Sequence, residues 1–364
     1  MKQWKNISVL LLLGGLLLGL GLWSALRTPD EISVSERRLL AQPPELSASA
    51  LVSGQYAKQT EAAAPDQFPL RETFRRLKAL ISRDLFGQKD VNGIYLAGGY
   101  ASQLEYPQND ASLDHAAERI RWICEHDLQG SRVFFSVIPD KNAFLAAENG
   151  YPALDYDAFL ESIRARLPEL SYIDLRQTLS LEDYYRTDLH WRQEALLETA
   201  RALAEGLGVT LPQTDYTENT LDAPYYGIYA GQSALPMEPD ALRWLTSETL
   251  EQCRVWNGET DTWGPVYDLE KGAGKDPYEL FLSGSVSLLR LEKPNAGTDR
   301  ELIVFRDSFG SSLMPLLAEA YASITLVDIR YLPAARLGTL LDFHGQDVLF
   351  LYSVPVLNNS DTLK

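Results

Sequence analysis

Twenty consecutive residues, Ile7 to Leu26, carry no charge. A helix of that length, rising about 1.5 Å per residue, spans the ~30 Å hydrocarbon core of a bilayer. Lys2 and Lys5 precede the run and Trp23 stands near its far end, which predicts a short cytoplasmic N-terminus with everything after the run outside. A cleaved signal peptide is the rival reading. The apolar run is longer than the usual h-region and has neither a clear A-x-A site nor a lipobox Cys, so residues 1–27 are expected to be an uncleaved membrane anchor. Residues 28–53, with Pro29, Pro43 and Pro44 among small and polar side chains, read as a linker.

From residue 54 onward the pattern is that of a folded domain. Residues 54–86 have helical spacing, with Phe74, Leu77, Leu80 and Ile81 on one face. Asn92-Gly93 then turns into the strand-like Ile94-Tyr95-Leu96, and Asp114 to Leu128 forms an amphipathic helix that carries Cys124. An alternation follows: a strand at Arg132–Ile138, a helix at Tyr156–Leu167, a short strand at Tyr172–Leu175 and a helix at Arg192–Leu207. It resumes with a strand at Leu302–Phe305, a helix at Ser311–Tyr321, a strand at Ile324–Val327, a helix at Ala334–Phe343 and a strand at Val348–Tyr352. Continuous apolar strands alternating with helices predict a parallel sheet covered on both faces. Residues 209–300, rich in turns with short strand-like pieces such as the run Phe281–Leu291, read as an elaboration within the domain 54–364.

Composition narrows the function classes. In 364 residues, 45% hydrophobic and 23% charged side chains describe an ordinary globular chain. Lys and Arg number 33 against 50 Asp and Glu, a net charge of −17. Nothing in that balance offsets phosphate repulsion, so nucleic acid is not an expected partner. The two cysteines, Cys124 and Cys253, make no disulfide framework and match no zinc spacing, and four His are too few for a His-rich metal site. No metal and no cofactor are expected.

Ligands of open parallel sheets bind beyond the carboxyl ends of the strands, and two segments there carry reactive groups. Ser308 follows the strand Leu302–Phe305 and precedes a helix, where its hydroxyl and nearby N–H groups could face a substrate. The competing reading is a serine that only caps the helix. In Thr187-Asp188-Leu189-His190-Trp191 an Asp two residues before a His can orient the imidazole and stabilise its protonated form. Here the competing reading is a histidine satisfied at a helix start. Taken together, Ser308, His190 and Asp188 are the candidate triad, whose members are defined by geometry and not by chain order.

These residues carry a family resemblance. Asp307-Ser308 resembles the serine block of SGNH hydrolases, and Asp188-x-His190 resembles their Asp/His block. Over roughly residues 35–360 the chain resembles bacterial DHHW proteins, which are related to the alginate O-acetylation proteins. The supporting stretches are Asp66–Arg71, Pro139-Asp140-Lys141, Tyr184–Trp191, Phe305–Phe309 and Val327–Tyr331. Leu189 stands where the name-giving motif has its first His, and Arg306 replaces the Gly before the Asp-Ser pair. The resemblance implies a three-layer SGNH-hydrolase-like α/β fold with a permuted motif order, its parallel sheet interrupted by the inserted region. It also implies an oxyanion hole, for which Ser308, Arg330, Tyr331 and Asn358 are the candidates.

The expected activity is extracytoplasmic carbohydrate O-acetyl transfer or acetyl-ester hydrolysis on a cell-surface or exported polysaccharide. Substrate-binding candidates are Tyr184, Tyr229 and Trp256. The resemblance further implies a membrane-bound O-acyltransferase (MBOAT) as acyl donor, because no acetyl-CoA is available outside the cytoplasm. The alternative is a non-catalytic glycan-binding or polysaccharide-assembly protein of the same fold, using aromatics such as Tyr225, Tyr226, Tyr229, Trp256 and Trp263.

Overall fold

The runs Leu302–Phe305 and Val348–Tyr352 have no polar face to turn to water, so a sheet built from them must be covered on both sides. The computed structural model describes residues 2–364 and divides into two compact units.

The first unit runs up to Asn92 and includes Ala230–Pro236. It begins with helix α1 (Lys2–Leu26). Over Asn6–Leu26 the mean hydropathy is 2.3 and none of the span is buried, so this helix is long and apolar enough to cross a membrane. Residues 28–53 hold more structure than a linker. Ile32–Ser33 pairs with Arg38–Leu39, and Ser47 caps the short helix Ala48–Val52. Helices α2 (Gln55–Asp66) and α3 (Arg71–Leu80) follow. The stretch Asp66–Arg71 joins α2 to α3 and ties back the segment before them. Asp66 accepts from both Arg38 Nη atoms (2.5 and 2.8 Å) and from Ala41 N, and the Arg38 bond holds its carboxyl down at about 2. The buried Gln67 amide bonds Asp30 and Ala41.

The second unit comprises Gly93–Tyr229 and Met237–Lys364. It opens with a hairpin of β1 (Ile94–Ala97) and β2 (Tyr100–Gln103). Its turn residues Gly98 and Gly99 both have positive φ, which hairpin twist demands and glycine accepts without strain. The elements that build the sheet and its covering layers are α4 (Asp110–His126), β3 (Arg132–Ile138), α5 (Tyr156–Arg166), β4 (Ser171–Tyr172), α6 (Leu197–Gly206), β5 (Arg254–Asn257), β6 (Thr262–Gly264), β7 (Leu288–Glu292), β8 (Glu301–Arg306), α7 (Gly310–Leu313), β9 (Ser323–Val327), β10 (Asp347–Ser353) and α8 (Val354–Asn358), and Thr217–Thr220 pairs separately with Arg243–Thr246. An 8-stranded sheet has the order β6-β5-β7-β9-β8-β10-β3-β4. From β9 to β4 the pairs are parallel, and β7, β5 and β6 extend the sheet antiparallel. The region 209–300 thus supplies three strands of the same sheet. The Ser308 strand, β8, lies between β9 and β10, as the motif order requires.

Side chains alternate across the sheet. Phe134, Val304, Leu349 and Leu351 pack with Ala200, Leu203 and Leu207 of α6 and with Leu313 and Leu317. On the other face Phe135, Ile303, Phe305, Val348 and Phe350 pack with Ile120 and Ile123 of α4 and with Phe159 and Ile163 of α5. The fold is therefore a three-layer α/β sandwich with a mostly parallel centre. Both cysteines are free, and burial raises their thiol pKa values, Cys124 to about 12 and Cys253 to about 11.

Three expected helices are shorter than their patterns suggest; the one expected at Ala334–Phe343 is a 3₁₀ turn over Ala334–Arg336 and a single α turn over Leu337–Leu340. After α7 the chain tightens into a 3₁₀ turn over Met314–Leu317, because Pro315 has no N–H for the α-helical ladder. The segment expected as a helix from Arg192 begins with a 3₁₀ turn, Gln193–Ala195, and becomes α-helical at Leu197. Gln193 spends its side chain on Leu245 N and Ser312 O. The strand expected at Tyr172–Leu175 pairs only over Ser171–Tyr172, and Asp174 turns to Arg176 (2.8 Å).

Candidate active site

At the end of β8, Asp307 builds an elbow. Its Oδ1 accepts from Phe309 N (3.0 Å), and its Oδ2 accepts from Ser353 N (2.7 Å) at the end of neighbouring β10. Both bonds bury the Asp307 carboxylate and leave Ser308 half-exposed at the tip. A Cβ on Gly310 would sit 3.0 Å from Arg306 Cβ, a tight contact that glycine avoids. The Ser308 side chain does not cap α7. No side-chain cap bond is present, and Phe309 holds the cap position. The helix is only one turn long, so the dipole expected behind Ser308 is small.

The hydroxyl instead meets His190. Ser308 Oγ lies 2.7 Å from His190 Nε2, and His190 Nδ1 lies 2.6 Å from Asp188 Oδ1. A carboxylate can only accept, so the geometry assigns the proton to Nδ1 and leaves Nε2 to accept from the serine. The structure thus brings the three triad candidates into one line. Asp188 is fully buried. Its Oδ1 also accepts from His190 N (3.1 Å) and its Oδ2 from Ile228 N (2.8 Å).

Several supports were not singled out in the sequence. Tyr278 stacks on the His190 ring at 3.8 Å with planes 8° apart, and its hydroxyl pairs with Ser312 Oγ at 2.8 Å. Asp240 accepts from Arg186 N (2.9 Å), Thr187 N (2.8 Å) and Thr187 Oγ1 (2.6 Å). Gly227 N donates to Thr187 Oγ1 (2.8 Å), and a Cβ on Gly227 would fall 2.3 Å from Asp188 Cβ. Trp191 ties this loop to the elbow through Nε1, which donates to Phe309 O (3.1 Å) and Ser312 Oγ (3.0 Å). Behind the loop the buried Lys141 donates to Tyr185 O (2.9 Å). Burial lowers its ammonium to about 7, against the opposing pull of Asp188, Asp240 and Asp140. Burial likewise raises Asp140 to about 6, although Tyr156 and Asn142 hydrogen-bond its carboxylate.

The oxyanion candidates are placed unevenly. Arg330 is held by Asp328 through N (3.1 Å), Nε (2.9 Å) and Nη2 (2.6 Å), and its guanidinium lies over the exposed Tyr331 ring. Asn358 is committed elsewhere: Nδ2 donates to Glu105 Oε1 (2.6 Å), and Oδ1 accepts from Asn109 N (2.7 Å). That removes it from the oxyanion set. Arg306, the residue before Asp307-Ser308, is buried with its Nη1 4.0 Å from Asp328, and burial lowers its pKa.

The aromatic candidates also need correction. Tyr184 is 1% exposed and its hydroxyl donates to Pro139 O (2.6 Å); Tyr229 is 7% exposed, with Lys141 over its ring. Both are packing residues without a ring face open to a substrate. Their apolar bodies are worth more buried than exposed. Trp256 is half-buried on β5, bonded to Asp261 and paired across the sheet with Trp263. Tyr225 is buried, while Tyr226 and Trp263 are exposed. Among the described residues, no group of three or more His, Cys, Asp or Glu is arranged to hold a metal ion.

The sequence matches no family model and no curated protein. Solved structures do match. A DHHW family protein from Eubacterium siraeum DSM 15702 is similar with a TM-score of 0.61 at 21% identity, over 75% of this chain and 95% of that one. Bacillus cereus PatB1 carrying a sulfonyl adduct gives 0.56 at 16% identity, over 74% of this chain and 99% of that one. PatB1 itself gives 0.54, also at 16% identity, over 74% and 98%. The chain has the SGNH-like fold that this DHHW family protein and PatB1 share.

Proposed function

We propose that the chain is an extracytoplasmic carbohydrate O-acetyltransferase or acetylesterase, anchored to the membrane by α1. The observation that carries the reading is the relay Ser308–His190–Asp188, with links of 2.7 and 2.6 Å. Ser308 Oγ attacks the carbonyl of an acetyl ester while His190 Nε2 takes its proton, and Asp188 stabilises the imidazolium. The negative oxygen of the tetrahedral intermediate draws on the Ser308 N–H and a second donor. Arg330 and Tyr331 are the candidates for that donor. Collapse expels the alcohol, protonated by His190, and leaves acetyl-Ser308. A sugar hydroxyl, or water, then gives up its proton to His190 and carries the acetyl group away. For transfer, an MBOAT-type membrane protein is the proposed source of acetyl groups.

The test uses the full chain in detergent. A fluorophosphonate, or a sulfonyl fluoride of the kind suggested by the PatB1 adduct, should label the wild type at Ser308. It should leave Ser308→Ala unlabelled and without turnover of 4-nitrophenyl acetate. Equal labelling or turnover in Ser308→Ala refutes the reading. A folded wild type that neither labels nor turns over yet binds glycans points to the non-catalytic alternative.

A further inference from the structure

A cleft of about 460 Å³ opens beside the carboxyl edge of the sheet, and none of the triad residues lines it. Its walls are amides and carboxylates, among them Gln103, Glu105, Gln108, Asn358 and Asn359, with the Tyr106 side chain 59% exposed. Glu105 is buried, and its Oε1 accepts from Asn358 Nδ2 (2.6 Å) and Asn359 Nδ2 (3.1 Å). Asn358 is fixed further by Pro107 O (3.1 Å) and Asn109 N (2.7 Å). A buried carboxylate facing an open polar cleft through locked amides is costly as mere structure, and it is pre-ordered for a ligand rich in hydroxyls.

The chemistry excludes other occupants. No Lys, Arg or His lines the cleft, so a polyanion meets carboxylates with no cation to receive it. No cluster of three ligating side chains is present among the described residues, whereas a hard cation takes about six to eight oxygens. An apolar ligand would take water from the exposed polar side chains of Gln103 and Asn359 and return no hydrogen bond. A neutral sugar fits all three conditions: hydroxyls for the amides and Glu105, and an apolar ring face for Tyr106.

Its position connects it to the elbow. Helix α8 starts where β10 ends, and Ser353 N there bonds Asp307, the residue before Ser308. From Ser353 to Asn358 is little over one helical turn, about 8 Å along the axis. We propose that this cleft is a saccharide subsite that seats a neutral pyranose unit of the glycan chain reacting at Ser308, one ring face on Tyr106 and hydroxyls on Glu105 and Asn359. The proposal rests on the reading of Ser308 as a glycan-directed nucleophile.

Binding and turnover separate the two ideas. The full chain in detergent, as Ser308→Ala to silence chemistry, is titrated by calorimetry with cellotetraose, chitotetraose and tetragalacturonate. A neutral tetrasaccharide should bind and tetragalacturonate should not. Tyr106→Ala should weaken the neutral ligand about tenfold, the upper range of one aromatic contact, and Asn359→Ala should weaken it several-fold. In the Ser308 background both variants should keep wild-type turnover of 4-nitrophenyl acetate. Unchanged affinity in both variants, preference for the anionic sugar, or binding of no tetrasaccharide overturns the subsite. Those outcomes leave the Ser308 reading intact as long as ester turnover still depends on that serine.

Discussion

The most exacting prediction concerns Gly227, 37 positions from His190, the nearest member of the proposed triad in sequence. Gly227 packs so closely on Asp188 that a Cβ would lie 2.3 Å from Asp188 Cβ, 2.4 Å from its Cα and 2.5 Å from its N. Carbon atoms in contact settle at roughly 3.5–4.0 Å, so Gly227→Ala must part the two segments by about 1 Å or more. Two of the three contacts are backbone atoms, and no rotamer change relieves them. The same segment supplies Ile228 N to Asp188 Oδ2 and Gly227 N to Thr187 Oγ1, both at 2.8 Å. The displacement therefore passes into the 2.6 Å link between Asp188 and His190.

A misplacement of about 1 Å in a catalytic constellation costs on the order of 10²-fold in rate, and overpacking costs about 1–3 kcal/mol of stability. Turnover of 4-nitrophenyl acetate by full-length Gly227→Ala should fall about 100-fold. Its melting temperature should drop by only a few degrees. Gly264→Ala is the control, since a Cβ there meets nothing within 4 Å. Wild-type kcat in a folded Gly227→Ala would refute the argument that this glycine sets the position of Asp188.

Three further outcomes are expected. Tyr278→Phe keeps the stack on His190 and loses only the Ser312 bond, so kcat should stay near wild type, while Tyr278→Ala should lose about tenfold in kcat as the ring is freed; kinetics on the model ester decides. Lys141, lowered to about 7 by burial, binds fewer protons folded than unfolded between that value and its usual 10.5, so stability should rise with pH across this window and stay flat below it. Melting curves of Lys141→Met should lose that rise, and a wild-type pH profile in the variant would contradict the assignment. With α1 apolar throughout Asn6–Leu26, the protein should remain with membranes after a high-salt wash that strips charge-held proteins; a soluble form starting near Arg27 would show cleavage instead.

Much of the fold was legible because burial on both sides leaves an unbroken apolar signature. The runs at Leu302–Phe305, Ile324–Val327 and Val348–Tyr352 all became strands of one sheet. The candidate triad was legible for a related reason: strand ends locate the functional edge, and Ser308 and the Asp188-x-His190 pair both fall on it. What holds the candidate triad was not legible. Tyr278, Asp240, Gly227 and Ile228 reach the site from distant positions, and no local period marks a long-range contact. The aromatics Tyr184 and Tyr229 misled because sequence alone does not say whether a ring packs inward or faces solvent. The shortened helix after Ser308 carried its own sign in Pro315.

The segment between Tyr184 and Trp191 contains neither helix nor strand; one isolated bridge joins its ends. Its order comes from side chains that take over the role of a regular ladder. Asp240 accepts from two successive backbone N–H groups, Lys141 donates to a carbonyl, and Tyr185 N closes the loop by donating to His190 O at 3.0 Å. Each such bond contributes only about 1 kcal/mol net, yet leaving a buried donor unpaired costs about 1–3 kcal/mol. By that asymmetry each partner costs more to remove than its bond contributes when made. A strand would put Asp188 and His190 on the same face but roughly 6.5–7 Å apart along the chain. An irregular loop held by buried polar bonds can instead turn both toward one serine, and the dependence on remote residues such as Gly227 follows from that choice.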